Sequence, residues 1–230
     1  MRRAVLAGSF LVVALLVVAG GGWSTAVAQE GTPVSTPPPT VGLTLRDVQG
    51  NIVGSATFSQ ADDGTVTVVI TGEGLPPGEH GVHVHEKGVC DPSGSEPFSS
   101  AGGHFNPTGA MHGAPETPGV SAGEPAATPG AMPSPMASPM AGGAHAGDLG
   151  NLYVDQQGNV RFQITTNRFT LSPGPTSLND ADGTSLVIHA DRDDLTSQPS
   201  GNSGPRIACG VIFPPMGGVP SASPAASPAA

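Results

Sequence analysis

Eight short runs of alternating or β-branched residues recur along the chain: Val41–Asp47, Ile52–Ser59, Thr65–Thr71, Gly81–Glu86, Leu149–Val154, Val160–Thr166, Ser185–Ala190 and Arg206–Phe213. Gly, Pro, Asn or Asp bounds each of them, as in Asp62-Asp63-Gly64 and Asp155-Gln156-Gln157-Gly158. Alternation places one face of a strand on a core and the other outward. Turn residues at such short intervals reverse the chain before a helix can grow. The expected fold is all-β, an antiparallel sandwich or barrel.

The segments outside these runs set the expected boundaries. Arg2 and Arg3 precede a nearly unbroken apolar stretch, Ala4 to Ala19, and Ala26-Val27-Ala28 has the small-x-small form of a cleavage site. Residues 1–28 therefore read as a secretory signal peptide. Its apolar run is about 16 residues, short of the roughly 20 that a span needs. The mature chain is expected to be exported, to the periplasm, cell envelope or extracellular space, without a membrane span. The paired arginines leave the general secretory and twin-arginine routes both open. Residues 29–40 are a Pro/Thr-rich linker and 215–230 a Ser/Pro/Ala tail, each too poor in large apolar side chains to offset ordering entropy. One domain, 41–214, remains.

Inside that domain the stretch 115–143 changes to Ala, Pro, Gly, Ser and Met. Met132, Met136 and Met140 recur every four residues, but the interspersed prolines forbid a helical stripe. This is a low-complexity insertion. Composition favours a linker, dispensable from Glu116 to Ala141, over a thioether site for Cu(I) built with Met111.

Charge excludes one class of partner. Without Arg2 and Arg3 the chain has 6 basic and 18 acidic residues, a net charge of −12, so a basic surface for nucleic acid or anionic lipid is not available. The chain has two cysteines, Cys90 and Cys209, and in an exported protein an even count points to a disulfide.

Seven histidines stand among these few charges. His83 and His85 are two apart in a strand run, so both project from one face while Val82 and Val84 point to the other. His104 and His112 follow in a Gly-rich loop, His145 and Asp148 precede the next strand, and His189 ends the run Ser185-Leu186-Val187-Ile188. Imidazole suits copper and zinc, and a carboxylate can complete a tetrahedral zinc site.

The motifs Gly81-Val82-His83-Val84-His85-Glu86, Ala101-Gly102-Gly103-His104-Phe105-Asn106-Pro107 and Gly147-Asp148-Leu149-Gly150 resemble those of copper–zinc superoxide dismutases. So do Leu186-Val187-Ile188-His189 with Asp193-Asp194-Leu195, and Gly204-Pro205-Arg206-Ile207-Ala208-Cys209-Gly210-Val211-Ile212. Cys90, five residues after His85, resembles the bacterial branch. The resemblance runs from Val41 to Ile212. It implies an eight-stranded antiparallel Greek-key β-barrel with long metal-binding loops and one copper and one zinc per chain. His83, His85, His104 and His189 would hold copper; His104, His112, His145 and Asp148 would hold zinc, with His104 bridging. Asp193 would hydrogen-bond His83 and His112, and Cys90 and Cys209 would form the intrasubunit disulfide. Arg206 would draw in the superoxide anion, and His104 would carry a proton in its disproportionation. His80 matches no ligand and reads as a structural histidine; Lys87 and Arg192 read as solvated. The uncharged segment Thr196–Asn202 departs from relatives that place lysine and glutamate there, which bears on steering. The resemblance leaves monomer and homodimer open. The alternative on the same barrel is a non-catalytic copper carrier or buffer.

Overall fold

The computed structural model describes residues 38–116, 119–121 and 143–217, so the expected leader, most of the expected 29–40 linker, the methionines of the insertion and most of the expected tail lie outside the described residues. All described residues belong to one compact unit. Its strands are β1 Thr40–Asp47, β2 Ile52–Gln60, β3 Val66–Gly72, β4 Gly78–His85, β5 Val120–Ser121, β6 Asp148–Val154, β7 Val160–Thr166, β8 Thr184–His189 and β9 Arg206–Phe213.

The tight reversals rest on one device. Asp47 Oδ1 accepts from the backbone N–H of Gln49 and Asn51 between β1 and β2, and Asp155 Oδ1 accepts from Gln157 and Asn159 between β6 and β7. Asp63 does the same for Thr65 before β3. A short carboxylate that satisfies the turn's own donors fixes where each strand stops.

All pairings between named strands are antiparallel, in the order β3-β2-β1-β9-β8-β4-β6-β7-β5, and β3 also pairs with β7 along its whole length. That last pairing closes eight strands into a barrel without exposed edges among them. The two-residue β5 lies outside the closed ring, on β7. It belongs to the inserted stretch, so part of that stretch is ordered on the barrel. Proline-rich composition around Val120 masked a pairing that only the neighbouring strand supplies.

Burial follows the alternation on β7, where Val160, Phe162, Ile164 and Thr166 are buried and the residues between them exposed. The core gathers Leu45, Phe58, Ile70, Leu149, Leu152, Phe162, Phe169, Leu178, Leu186 and Ile188, each almost fully buried. On β4 and β8 both faces are buried. Val82, Val84, Leu186 and Ile188 enter the core. Their neighbours His83, His85 and His189 face outward, yet the loops before β6 and β9 cover them. Six imidazoles can therefore collect on the outside of the barrel wall and still be shielded from water.

Candidate metal centre

Strand ends and bulges aim the site. The β4–β6 register shifts between Gly81 and His83, and β8–β9 shifts between Ile188 and His189. Such irregularities re-aim side chains beside a site. His104 is brought to β4 by an isolated bridge with His85. Phe105 N–H donates to Val84 O, and Gly147 N–H donates to Phe105 O.

His83, His85, His104 and His189 form one buried set, and His104, His112, His145 and Asp148 a second; in each, one ligand atom per residue lies within 4.8 Å of the others. His104 belongs to both. In the first set Nε2 of His85 and of His189 are 3.4 Å apart. In the second, Nδ1 of His145 is 3.4 Å from Nδ1 of His104 and 3.3 Å from Asp148 Oδ1. A tetrahedral ion with metal–nitrogen bonds of about 2.0–2.1 Å holds its ligand atoms about 3.3–3.4 Å apart, so the spacing suits a metal.

Hydrogen bonds on the other ring atoms select the ligating nitrogens. His83 Nε2–H donates to Asp193 Oδ2 (2.7 Å) and His112 Nε2–H to Asp193 Oδ1 (2.9 Å). His85 Nδ1–H donates to Gly102 O and His189 Nδ1–H to Gly204 O. Asp193 thus joins a histidine of each set, the arrangement that fixes ring orientation and raises ligand basicity. Asp193 is itself held: its N–H donates to Asn151 Oδ1, and Asn151 Nδ2 donates back to Asp193 O. Gly201, at φ 65°, lies so close that a Cβ there would meet Asp193 Oδ1 at 1.7 Å, so only glycine fits.

Three buried ring nitrogens among the described residues have no hydrogen-bond partner: His83 Nδ1, His104 Nε2 and His112 Nδ1. Buried polar atoms are nearly always satisfied, and all three of these point into the two donor sets. His112 Nδ1 is 3.1 Å from Asp148 Oδ2 without hydrogen-bond geometry. Histidines and a carboxylate, closely packed and with three ring nitrogens left unpartnered, form a donor set that fits copper and zinc.

Electrostatics keep most donors proton-free. Burial, reinforced by the neighbouring His104, His189 and Arg206, pushes His85 well below the usual histidine range. Burial lowers His104 to about 4 against the opposing Asp148, and lowers His189 to about 3. At His112 burial is outweighed by the adjacent Asp148 carboxylate and by the hydrogen-bonded Asp193, which raise it to about 9. Burial alone would raise Asp148, but the three histidines around it hold it far below the carboxylate range.

Arg206 stands at the edge of the first set. Its Nη1 donates to Phe98 O (2.5 Å) and its Nη2 to Gly102 O (2.6 Å), the carbonyl that also receives His85 Nδ1–H. Cys90 and Cys209 are joined, with Cα atoms 5.7 Å apart. Phe98, Ala101, Val187 and Cys209 form a small second core under the loop that offers both carbonyls. His80 lies outside both sets, its ring nitrogens on His189 O and Pro76 O. Arg192 is exposed, as expected of a solvated cation, and pairs at 2.9 Å with Glu79, itself exposed.

Sequence reasoning did not reach Asn151, Gln198 or Arg168. The Gln198 amide accepts from His112 N–H and donates to His112 O. Arg168 Nη1 and Nη2 donate to the carbonyls of His145 and Asp148. None of these has a motif signature, because each acts on backbone that the fold brings near it.

Residues 52–212 match the family model described as copper/zinc superoxide dismutase (SODC). The chain is 40% identical over 172 residues to superoxide dismutase (Cu-Zn) 2 of Aquifex aeolicus, covering 73% of this chain and 83% of that one. Among solved structures it resembles a double mutant of a SOD-like protein from Bacillus subtilis, at 34% identity and TM-score 0.58, over 75% of this chain and 96% of that one. It also resembles the Cu/Zn superoxide dismutase from Brucella abortus, at 25% identity and TM-score 0.55, over 76% of this chain and 99% of that one.

Proposed function

Because the chain belongs to the copper/zinc superoxide dismutase family, we propose that its joined donor sets disproportionate superoxide, with Arg206 drawing in the anion and His104 carrying a proton. Two superoxide ions and two protons give one dioxygen and one hydrogen peroxide. When bound, copper supplies the one-electron exchange and zinc a redox-inert charge that tunes His104. His83 Nδ1, Nε2 of His85, His104 and His189 would hold the copper; Nδ1 of His104, His112 and His145 with the Asp148 carboxylate would hold the zinc. The observation that carries this reading is the trio of orphaned ring nitrogens on His83, His104 and His112.

The residues divide the remaining work. Asp193, Gly102 O and Gly204 O fix which nitrogen of His83, His85, His112 and His189 carries a proton. His104 has both nitrogens in the donor sets, so its Nε2 is the atom that can take up a proton and pass it to reduced oxygen. It is also the most exposed of the copper set, at 9%. The Arg206 guanidinium, half-buried and held by two carbonyls, keeps a fixed cation beside the set without an acidic partner in salt-bridge reach among the described residues.

Purified protein should contain one copper and one zinc per chain and consume superoxide. His85→Ala should remove that activity while zinc is retained, since His85 belongs only to the first set. Full activity in His85→Ala, or in protein stripped of copper, would overturn the reading.

We also infer that the mature chain works outside the cytoplasm. The leader pattern in residues 1–28 and the Cys90–Cys209 bond support this, as disulfides persist in oxidising compartments. Cell fractionation with a thiol count on the non-reduced mature protein tests it.

A further inference from the structure

We propose that Arg168 is a positioning residue for zinc: it staples the turn carrying His145 and Asp148 and ties that turn to the start of the insertion through Glu116. This rests on the zinc reading of the second donor set.

Arg168 follows β7 and reaches the backbone of the turn that carries two of the zinc ligands. Its Nη1 donates to His145 O (2.6 Å) and its Nη2 to Asp148 O. These are the first and last carbonyls of a four-residue turn in which Asp148 N–H already donates to His145 O and His145 N–H donates to Asp148 Oδ2. A planar guanidinium presents two parallel donors and so sets the distance between the two carbonyls; an ammonium cannot. Because His145 and Asp148 both supply zinc ligand atoms, that distance governs where the ligands sit. Thr166 Oγ1 accepts from Arg168 Nε at 3.3 Å and from its N–H at 3.2 Å, fixing the root of the side chain on β7.

The third side of the fork faces Glu116 Oε2, 3.2 Å from Arg168 Nε. Glu116 lies four residues beyond His112, where the chain departs from the zinc site. The same cation therefore holds the chain on both sides of the insertion: near His112 through Glu116, and at His145 and Asp148 directly. The Arg168 side chain is only 10% exposed, and a buried cation is costly without partners. An apolar residue would fill the space at lower cost. The guanidinium makes sense where two carbonyls and a carboxylate must be held in one plane.

The test measures metal affinity rather than activity. Metal-free protein and its Arg168→Met, Arg168→Lys and Glu116→Gln variants are titrated with zinc against a competing chelator, and separately with copper. Cobalt(II) bound in place of zinc reports ligand geometry through its visible spectrum. Arg168→Met should weaken zinc by about 10- to 100-fold, the range for lost support of a metal ligand, and should alter the cobalt spectrum with copper affinity unchanged. Arg168→Lys should fall between, because the charge remains and the fork does not. Glu116→Gln should have the smallest effect, since Glu116 is 61% exposed. Should Arg168→Met not fold, Arg168→Lys carries the same comparison. Unchanged zinc affinity and cobalt spectrum, or parallel losses of zinc and copper, would overturn the inference. A wild type that takes up no zinc would instead overturn the zinc reading itself.

Discussion

Arg206 brings its charge to the copper side on two backbone carbonyls, so its effect depends on position as much as on sign. The guanidinium lies close enough to lower His85 and His189, the field an incoming anion would also feel. Arg206→Glu should cut the rate of superoxide removal by roughly tenfold or more. The residual rate should rise with added salt, because screening then weakens a repulsion. Pulse radiolysis across ionic strengths reads both. The histidines set a second expectation, for metal-free protein. His104 and His189 have folded values below the unfolded one, so they cost stability as pH falls from about 6.5 towards 4 and 3. His112 is raised, so its pairing with Asp148 and Asp193 is fully present below about 6.5 and lost as pH rises through about 9. Urea midpoints of metal-free protein should therefore drop towards acid, and zinc affinity should increase as pH approaches 9, since zinc must displace the His112 proton. A flat profile in both would contradict these assignments.

Among the elements, the disulfide and β5 each tie a loop to the barrel. The Cys90–Cys209 bond spans a separation of 119 residues and links β9, which bears Arg206, to the loop that anchors it. The chain-entropy model puts the bond at about 5 kcal/mol, and measured values for native disulfides run about 2–5 kcal/mol. Replacing both cysteines by serine should lower the denaturant midpoint accordingly. It should also slow superoxide removal in metal-loaded protein, because Phe98 O and Gly102 O lose their fixed position. The insertion divides at β5. Ser121 Oγ accepts from Tyr153 N–H, and Val120 and Ser121 pair with Gln163 and Phe162 on β7. Glu116 pairs with Arg168. The contacts of Glu116, Val120 and Ser121 with the barrel put the expected dispensable stretch after Ser121 rather than at Glu116. Deleting 122–142 should leave metal content and rate nearly unchanged, as loop length carries little entropy. Deleting Glu116–Ala141 should weaken zinc retention in a chelator challenge.

On the scale of the whole molecule, a protein whose residues 29–230 carry a net charge of −12 must attract an anion locally. Among the described residues two of the six cations of that stretch are paired, Arg192 with Glu79 and Arg168 with Glu116. Arg206 has no salt-bridge partner among the described residues and sits beside the copper set. The Thr196–Asn202 segment adds no charge; Asp194 organises it by accepting from Thr196 N–H, Ser197 N–H and Asn202 Nδ2. Wild-type rates should therefore depend only weakly on salt. A steep fall would assign steering to other cations, Lys87 first.

The eight barrel strands were legible because alternation and turn residues are local, and a two-residue period puts successive side chains on opposite faces. Two ligand pairs were legible in short spacings, His83 with His85 on one strand face and His145 with Asp148 in one turn, whereas His104, His112 and His189 were placed by the resemblance of their motifs. The pairing of β3 with β7, and the meeting of His104 with both donor sets, were decided only when the barrel closed. The same is true of the supports beneath the ligands. Asn151, Gln198 and Arg168 act through backbone atoms of residues 42, 86, 23 or 20 positions away. Backbone carbonyls and N–H groups are alike at every residue, so no side-chain pattern announces which of them a distant amide or guanidinium will meet.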